Sequence, residues 1–304
     1  MAMQLSLCGV LVTFNRLEKL KKTIEAYEKQ SLLPKYLVVI DNCSTDGTKE
    51  YLDEWMKEKK EFEKIVIHME SNTGGSGGFY KGIEEAQKLD VEWIYLSDDD
   101  AYLTDNALET FYNRKERLDS TIGVIASTVD APDGITLLHR RVAKLSKLAF
   151  KEVYSKEEDY KMDSFPIDMF SFVGVFIRKE ACVEAGLPMK DYFIWYDDTE
   201  YSYRITRKYK AVCIPSIVVF HDCKMADITF CWKNYYGYRN NLDFLRRDLN
   251  KRYYNYFKFA LWVSSILDIF KGKSKKGKVK REAIKDAKKG ILGINNKYLP
   301  GKKF

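Results

Sequence analysis

Ser97-Asp98-Asp99-Asp100-Ala101 directly follows the apolar run from Trp93 to Leu96, which reads as a β-strand. Adjacent carboxylates at a strand end repel one another, and in a cleft such a group is stable mainly when a cation neutralises it. Asp98 and Asp100, as alternate acids, can converge on one hard divalent ion that keeps positions open for a diphosphate, as magnesium usually does. An acidic run also serves as a helix N-cap. A cap needs one acid, and three stand here.

A second acidic pair, Asp197-Asp198, lies among aromatics in YFIWYDDTEYSYR and opens a helix. A carboxylate in partly apolar surroundings has its pKa raised toward the working pH, which suits a general base and is compatible with capping. His221, after the strand-like IVVF, is one of only three histidines; alone it reads as structural, and only its neighbours make it a ligand. The glycine cluster in NTGGSGGF, beginning at Asn72, separates a strand from a helix where backbone N–H groups could approach an anion or a sugar. It is not a dinucleotide fingerprint, because the last glycine of that pattern would fall on Tyr80. Walker A, G-x-S-x-G and H-E-x-x-H motifs are absent, so P-loop, serine-elbow and zincin chemistries lose their usual support.

The elements around these residues alternate strand and helix. Leu5 to Phe14, Tyr36 to Ile40, Ile65 to Met69 and Trp93 to Leu96 read as strands. Between them, apolar residues recur at helical spacing, as at Leu17, Leu20, Ile24 and Tyr27. The order predicts an α/β fold with a mostly parallel, Rossmann-like sheet and helices on both faces, whose ligands bind beyond the carboxyl ends of the strands. Polar residues follow three of those ends, at Thr13-Phe14-Asn15-Arg16, Asp41-Asn42 and the triple aspartate. Further strands are expected at 122–127, 170–178 and 211–220, and the charged stretch 138–163 reads as a hairpin or loop over the site.

The chain has 304 residues and a formal charge of +7, unevenly placed. From Lys271 to Phe304 thirteen Lys and Arg face two acids, whereas the first 270 residues hold 38 basic and 42 acidic side chains. Six scattered cysteines without a C-x-x-C pair fit reduced thiols and a cytoplasmic location. The N-terminus lacks the basic region and cleavage site of a signal peptide, and no apolar stretch reaches the length of a spanning helix. From Trp232 onward aromatic and basic residues interleave, and KGKSKKGKVKR follows an apolar segment. Nucleic-acid surfaces, interfacial helices and solvated tails all show this composition. The order of apolar then polybasic sequence favours an anionic membrane surface, and the net negative charge of the first 270 residues argues against a nucleic-acid partner.

Taken together, VTFNR (12–16), DNCSTDGT (41–48), NTGGSGGF (72–79), LSDDDA (96–101), WYDDTEY (195–201) and FH (220–221) resemble the inverting GT-A-fold glycosyltransferases of family 2, over roughly residues 4–245. Within that family the wording is most similar to the galactofuranosyltransferases. The resemblance implies a GT-A catalytic domain over 1–245, with a nucleotide-binding half (1–101) and an acceptor half (102–245), followed by a helical, basic, membrane-associating region over 246–304. It implies Mn²⁺ or Mg²⁺ held by Asp98, Asp100 and His221 against the diphosphate of a nucleotide-sugar donor, and Asp198 as general base. Donor contacts would come from Thr13, Phe14 and Arg16 around the nucleotide, Asp41 on the uracil ring, Asn72 nearby and Asp99 on nucleotide or sugar. Acceptor contacts would fall to Trp195 and Asp197, although Tyr196 is inserted between the tryptophan and the acidic pair. The Q-x-x-R-W motif of processive synthases is absent, which favours addition of one or a few sugars. The expected reaction is transfer of galactofuranose from a UDP-linked donor, with inversion, to a glycan or lipid-linked oligosaccharide at the inner face of the cell membrane. A rhamnosyl- or other hexosyltransferase, and a non-catalytic sugar-nucleotide-binding scaffold, are the alternatives on the same fold.

Overall fold

Crossover connections determine the first half of the chain. In the computed structural model, which describes residues 4–223 and 230–302, β1 (Gln4–Thr13) is followed by α1 (Leu17–Glu28), and β2 (Leu33–Asp41) by α2 (Thr48–Trp55). Then come β3 (Glu63–His68), α3 (Gly74–Ala86) and β4 (Trp93–Asp98). Each helix returns the chain to the same end of the sheet, so β3-β2-β1-β4 pair in parallel. The register sets Val12 opposite Asp98 and Thr13 opposite Asp41. The carboxyl ends of three strands therefore finish at one level.

The sheet continues beyond β4 with β5 (Ala101–Leu103), α4 (Ala107–Lys115), β6 (Ile122–Ala131) and β7 (Gly134–Ile135). The hairpin β8 (Arg140–Leu145) and β9 (Phe150–Tyr154) lies within the charged stretch, followed by β10 (Phe165–Ile167), β11 (Met169–Phe170) and β12 (Val175–Arg178). After α5 (Lys179–Ala185) and α6 (Asp197–Thr206) comes β13 (Lys210–His221). The main sheet runs β10-β13-β6-β12-β4-β1-β2-β3, with its long ladders parallel and β12 inserted antiparallel between β6 and β4. The single strand expected over 170–178 is two. Gly174 turns at φ +67°, where a Cβ would lie 2.3 Å from the Ser127 hydroxyl. Ahead of it β11 joins β8 and β9 in a second sheet, and behind it β12 joins the main one.

Strand alternation divides the core. Leu5, Leu7 and Leu11 face Leu20, Ile24, Leu52, Trp55 and Phe111 from α1, α2 and α4. Cys8, Val10 and Val12 face Phe79 and Ile83 of α3 and Tyr201 and Ile205 of α6. Fully burying each such side chain contributes about 1.5–3 kcal/mol. All six cysteines are free.

The chain ends in helices: α7 (Lys233–Phe244), a π-helical turn over Leu245–Leu249, α8 (Lys251–Phe270) and α9 (Ser274–Lys289). The side chain of Asn250 caps α8 by accepting from the amides of Arg252 and Tyr253. α8 and α9 pack as a hairpin, with Lys280 bound to Asp268 at 2.7 Å and Gly277 so close to α8 that a Cβ would meet the Ser265 carbonyl at 2.5 Å. No described helix is long and apolar enough to cross a membrane.

α3 sits unusually close to β1. A Cβ on Gly82 would lie 2.3 Å from Val10 Cγ1, and a β-branched side chain inside a sheet has little freedom to yield. Gly82→Ala should therefore lower stability by about 1–3 kcal/mol, although alanine is the better helix former by about 1 kcal/mol. Urea denaturation checks this, and a stabilised variant would show that the contact relaxes freely.

Candidate active site

The ends of β4 and β13 bring Asp98, Asp100 and His221 together, with one ligand atom from each lying within 4.8 Å of the others. Pairing of His221 with Ala101 across β13 and β5 is what delivers the histidine. Its Nε2 lies 3.2 Å from Asp100 Oδ1. On the other side of Asp100, Arg16 Nη1 stands at 2.7 Å and Lys19 Nζ at 3.5 Å. Asp99 accepts from the Thr13 hydroxyl at 2.8 Å, from the Phe14 amide at 3.4 Å and from Arg16 at 3.2 Å, while Thr23 holds its carbonyl at 2.6 Å. Thr13, Phe14, Arg16 and the three aspartates thus form one network.

Three carboxylates so close together titrate abnormally. Burial, and then the charge of Asp100, push Asp98 up to about 7. Burial, outweighing the opposing charge of Arg16, pushes Asp99 up to about 6. Asp100 is held below its usual value: burial would raise it, but the His221 hydrogen bond and the charges of Arg16, His221 and Lys19 prevail. His221 is raised: burial would lower it, but its bond to Asp100 and the charges of Asp100 and Asp98 together prevail. Two carboxylates and an imidazole, converging with excess negative charge, fit a hard-to-borderline divalent cation.

Asp41 ends β2, and Asn72 lies in the connection from β3 to α3. Asp41 is buried, accepts from the Ser44 amide at 2.9 Å and pairs with His68 Nδ1 at 2.8 Å. Asn72 accepts from the Gly74 amide at 2.8 Å and from Asn42 at 3.2 Å. Asn42 in turn accepts the Thr73 amide and donates to the Gly74 carbonyl. The glycines lie inside α3 and not in a free loop. Gly74, at φ +73°, admits the carbonyl of Phe193, which a Cβ would meet at 1.9 Å, and the Ser76 amide donates to that carbonyl at 3.3 Å. Their role is to seat the segment that carries the second acidic pair.

That segment is a tight turn in which Phe193, Trp195 and Tyr196 all have positive φ, at 67°, 64° and 73°. Bulky residues hold such conformations only where their surroundings over-determine them. α6 starts at once with Asp197 and Asp198. Burial, and then the neighbouring Asp198, push Asp197 up to about 8. Asp198 is more open and accepts from Arg141 Nη2 at 3.4 Å, while Arg141 Nη1 holds Glu152 at 3.0 Å. The hairpin β8–β9 supplies both partners, so the charged stretch does reach the site. Trp195 is exposed, its ring lying over α7 where Gly237 leaves room.

Sequence reasoning missed Lys19, His68, Arg141 and the Arg239-Asn240 pair described below. Lys19 stands one helical turn after Arg16, and His68 ends a strand beside Asp41; both positions carried a usable signal. Arg141 lies in a stretch without clear periodicity, and no spacing singles it out.

The chain aligns over 94% of its length with a crystal structure of GalNAc-T7 with UDP, GalNAc and Mn²⁺, at TM-score 0.64 and 16% identity, covering 56% of that chain. It aligns over 94% with the mannosyltransferase PcManGT from Pyrobaculum calidifontis in complex with GDP-Man and Mn²⁺, at TM-score 0.53 and 11% identity, covering 86% of that chain. The fold is thus the GT-A fold of glycosyltransferases. Residues 9–185 match the profile of glycosyl transferase family 2, and the chain belongs to that family. It resembles the galactofuranosyltransferase GlfT1 of Mycolicibacterium smegmatis, at 25% identity over 66% of this chain and 65% of that protein's length, just under two thirds.

Asp98, Asp99 and Asp197 all hold protons more tightly in the folded chain than in an unfolded one. An acid raised in this way favours folding at low pH, and that contribution is lost as pH rises from the unfolded toward the folded pKa. The melting temperature of the metal-free protein should fall between about pH 5 and about pH 8, and Mn²⁺ should restore more at the upper end. A midpoint independent of pH in thermal melts would count against the crowding.

Proposed function

We propose that the protein transfers a sugar from a nucleotide-sugar donor, galactofuranose from UDP-galactofuranose, to a hydroxyl of a glycan or lipid-linked oligosaccharide with inversion, in the synthesis of a cell-surface polysaccharide. The convergence of Asp98, Asp100 and His221 beside Arg16 carries the reading. The likeness to a galactofuranosyltransferase supports the choice of sugar, and a shorter likeness to a putative teichuronic acid biosynthesis glycosyltransferase of Bacillus subtilis supports the setting.

The donor's nucleotide would lie across the ends of β1, β2 and β4, with the base toward Asp41 and Asn72 and the diphosphate toward Arg16. When bound to Asp98, Asp100 and His221, Mn²⁺ or Mg²⁺ supplies Lewis-acid stabilisation of the charge that develops on the leaving diphosphate. On the other side of the sugar, one acid must take the proton of the attacking hydroxyl. Asp197, pushed up to about 8, is mostly protonated at neutral pH. Asp198, partly exposed and oriented by Arg141 and the Thr199 amide, is the member of the pair placed to accept it. A positioned base contributes about 10²- to 10⁴-fold, and a single displacement inverts the anomeric centre. Trp195 and Asp197 would meet the acceptor.

The α8–α9 hairpin supports a membrane-facing acceptor. Phe259, Trp262 and Phe270 are exposed along one side of α8, Phe270 to 84%, and the exposed Lys271, Lys273, Lys275 and Lys278 follow them. Such a stripe beside a basic cluster suits the headgroup boundary of anionic lipid, at the inner face of the cell membrane.

Two measurements test these readings. Asp198→Asn should keep the Mn²⁺-dependent thermal shift with UDP while transfer falls about 10²- to 10⁴-fold; near wild-type transfer would sink the base assignment. Replacing Phe259, Trp262 and Phe270 together by serine should abolish flotation with anionic vesicles, and unchanged flotation would remove α8 as the docking face.

A further inference from the structure

Arg239 and Asn240 on α7 are both fully buried, and neither touches the metal trio. Asn240 Nδ2 donates to the carbonyls of Tyr192 at 3.0 Å, Ile194 at 3.1 Å and Trp195 at 2.8 Å. Its Oδ1 accepts from Arg239 Nε at 3.0 Å. The remaining Arg239 donors reach the carbonyls of Asp191 at 3.3 Å, Tyr192 at 3.1 Å and Gly293 at 2.6 Å. All of these acceptors are neutral, and the guanidinium lies 5.4 Å and 5.0 Å from the rings of Tyr235 and Tyr236. Burying a charge in this way is costly unless each donor finds a partner. Most of the pair's donors are directed at the one turn among the described residues where three bulky residues in close succession are held at positive φ.

The carbonyl of Gly293 belongs to the last stretch of the chain. Its amide returns the contact, donating to the Asp191 carbonyl at 2.6 Å. The Tyr236 hydroxyl accepts from the Asn295 amide at 3.0 Å and donates to the Tyr298 carbonyl at 2.9 Å, and its ring lies 5.1 Å from that of Phe193. The Tyr298 ring stacks on Tyr235 at 4.3 Å. Tail, α7 and turn form one assembly.

We propose that Arg239 and Asn240 are positioning residues that hold the Phe193–Tyr196 turn, and through it Asp197 and Asp198, in the geometry of catalysis, and that residues 293–298 complete this hold. The turn cannot relax without rotating the start of α6, because the Glu200 amide closes the first helical hydrogen bond onto the Tyr196 carbonyl at 2.9 Å. A displacement of about 1 Å at a reacting group costs about 10²-fold in rate. The proposed donor-binding residues lie at or just beyond the ends of β1 to β4, and none belongs to the turn. This inference rests on the reading of Asp198 as the base.

Asn240→Asp keeps the size and the acceptor for Arg239, but sets an anionic oxygen against three carbonyls. Steady-state kinetics of the full chain should show kcat reduced about 30- to 300-fold, with the donor KM within about threefold of wild type. Tyr236→Phe keeps the ring and removes the hydroxyl that fastens the tail. It should lower kcat about 3- to 10-fold, with the donor KM unchanged. If Asn240→Asp does not fold, Tyr236→Phe decides. Wild-type kcat in the folded variants overturns the proposal. So does a rise in donor KM matching the loss of kcat, since that is what a general loosening of the fold produces. If Asp198→Asn transfers normally while these variants still lose kcat, the base assignment fails and the clamp stands.

Discussion

Mutual repulsion among carboxylates at the carboxyl end of the sheet is the constraint that the rest of the molecule is arranged around. Asp98, Asp99 and Asp100 sit side by side, two of them almost fully buried. In a medium of low dielectric such charges cost several kcal/mol unless they are paired or protonated. The chain meets this cost only in part. Arg16 spans Asp99 and Asp100, Lys19 approaches Asp100, and His221 is bound to it, yet Asp98 keeps a raised pKa. A site balanced short of neutrality in this way has a standing preference for a cation.

Several features of the backbone serve that arrangement. Parallel register puts Thr13, Asp41 and Asp98 at one level, which antiparallel strands joined by tight hairpins would not do. The short β5 turns the chain back so that its antiparallel pairing with β13 lays His221 against Ala101, next to Asp100. Gly74 and Gly78 bring α3 down until the Phe193 carbonyl and Val12 touch it. A side chain at Gly74 would displace the acidic turn directly, which explains glycine there better than anion binding by a free loop does.

Much of this was legible in the sequence because it is local. Apolar runs and helical spacing marked β1 to β4 and their helices, and acids at strand ends marked the candidate cation site. The proposed general base was harder to separate from its neighbour. Asp197 and Asp198 are alike in the sequence, and only the deeper burial of the first and the partial exposure of the second distinguish them. Arg141 was hidden because its partner, Asp198, lies 57 positions away on another element. The division of 170–178 turned on the φ of Gly174, which no pattern of apolar residues encodes. Arg239 and Asn240 sat in an aromatic, basic stretch whose composition suggested an interface, although both point inward.

The C-terminal region has two unlike faces. Val279, Ala283 and Ala287 of α9 are buried, as is Tyr298 beyond it, whereas most of the lysines that give this region its charge stay exposed. The contacts that fasten it to the acidic turn are carbonyls, amides and stacked rings. Because the tail contributes backbone groups and a ring to that attachment rather than its lysines, most of its positive charge stays on the surface. Association there need not disturb the turn, since the apolar stripe of α8 and the inner face of α9 belong to different sides of the hairpin. Cutting the chain near residue 250 would remove the basic surface and the Gly293 contact together. Only substitutions confined to one face can separate the proposed membrane association from the proposed hold on Asp198.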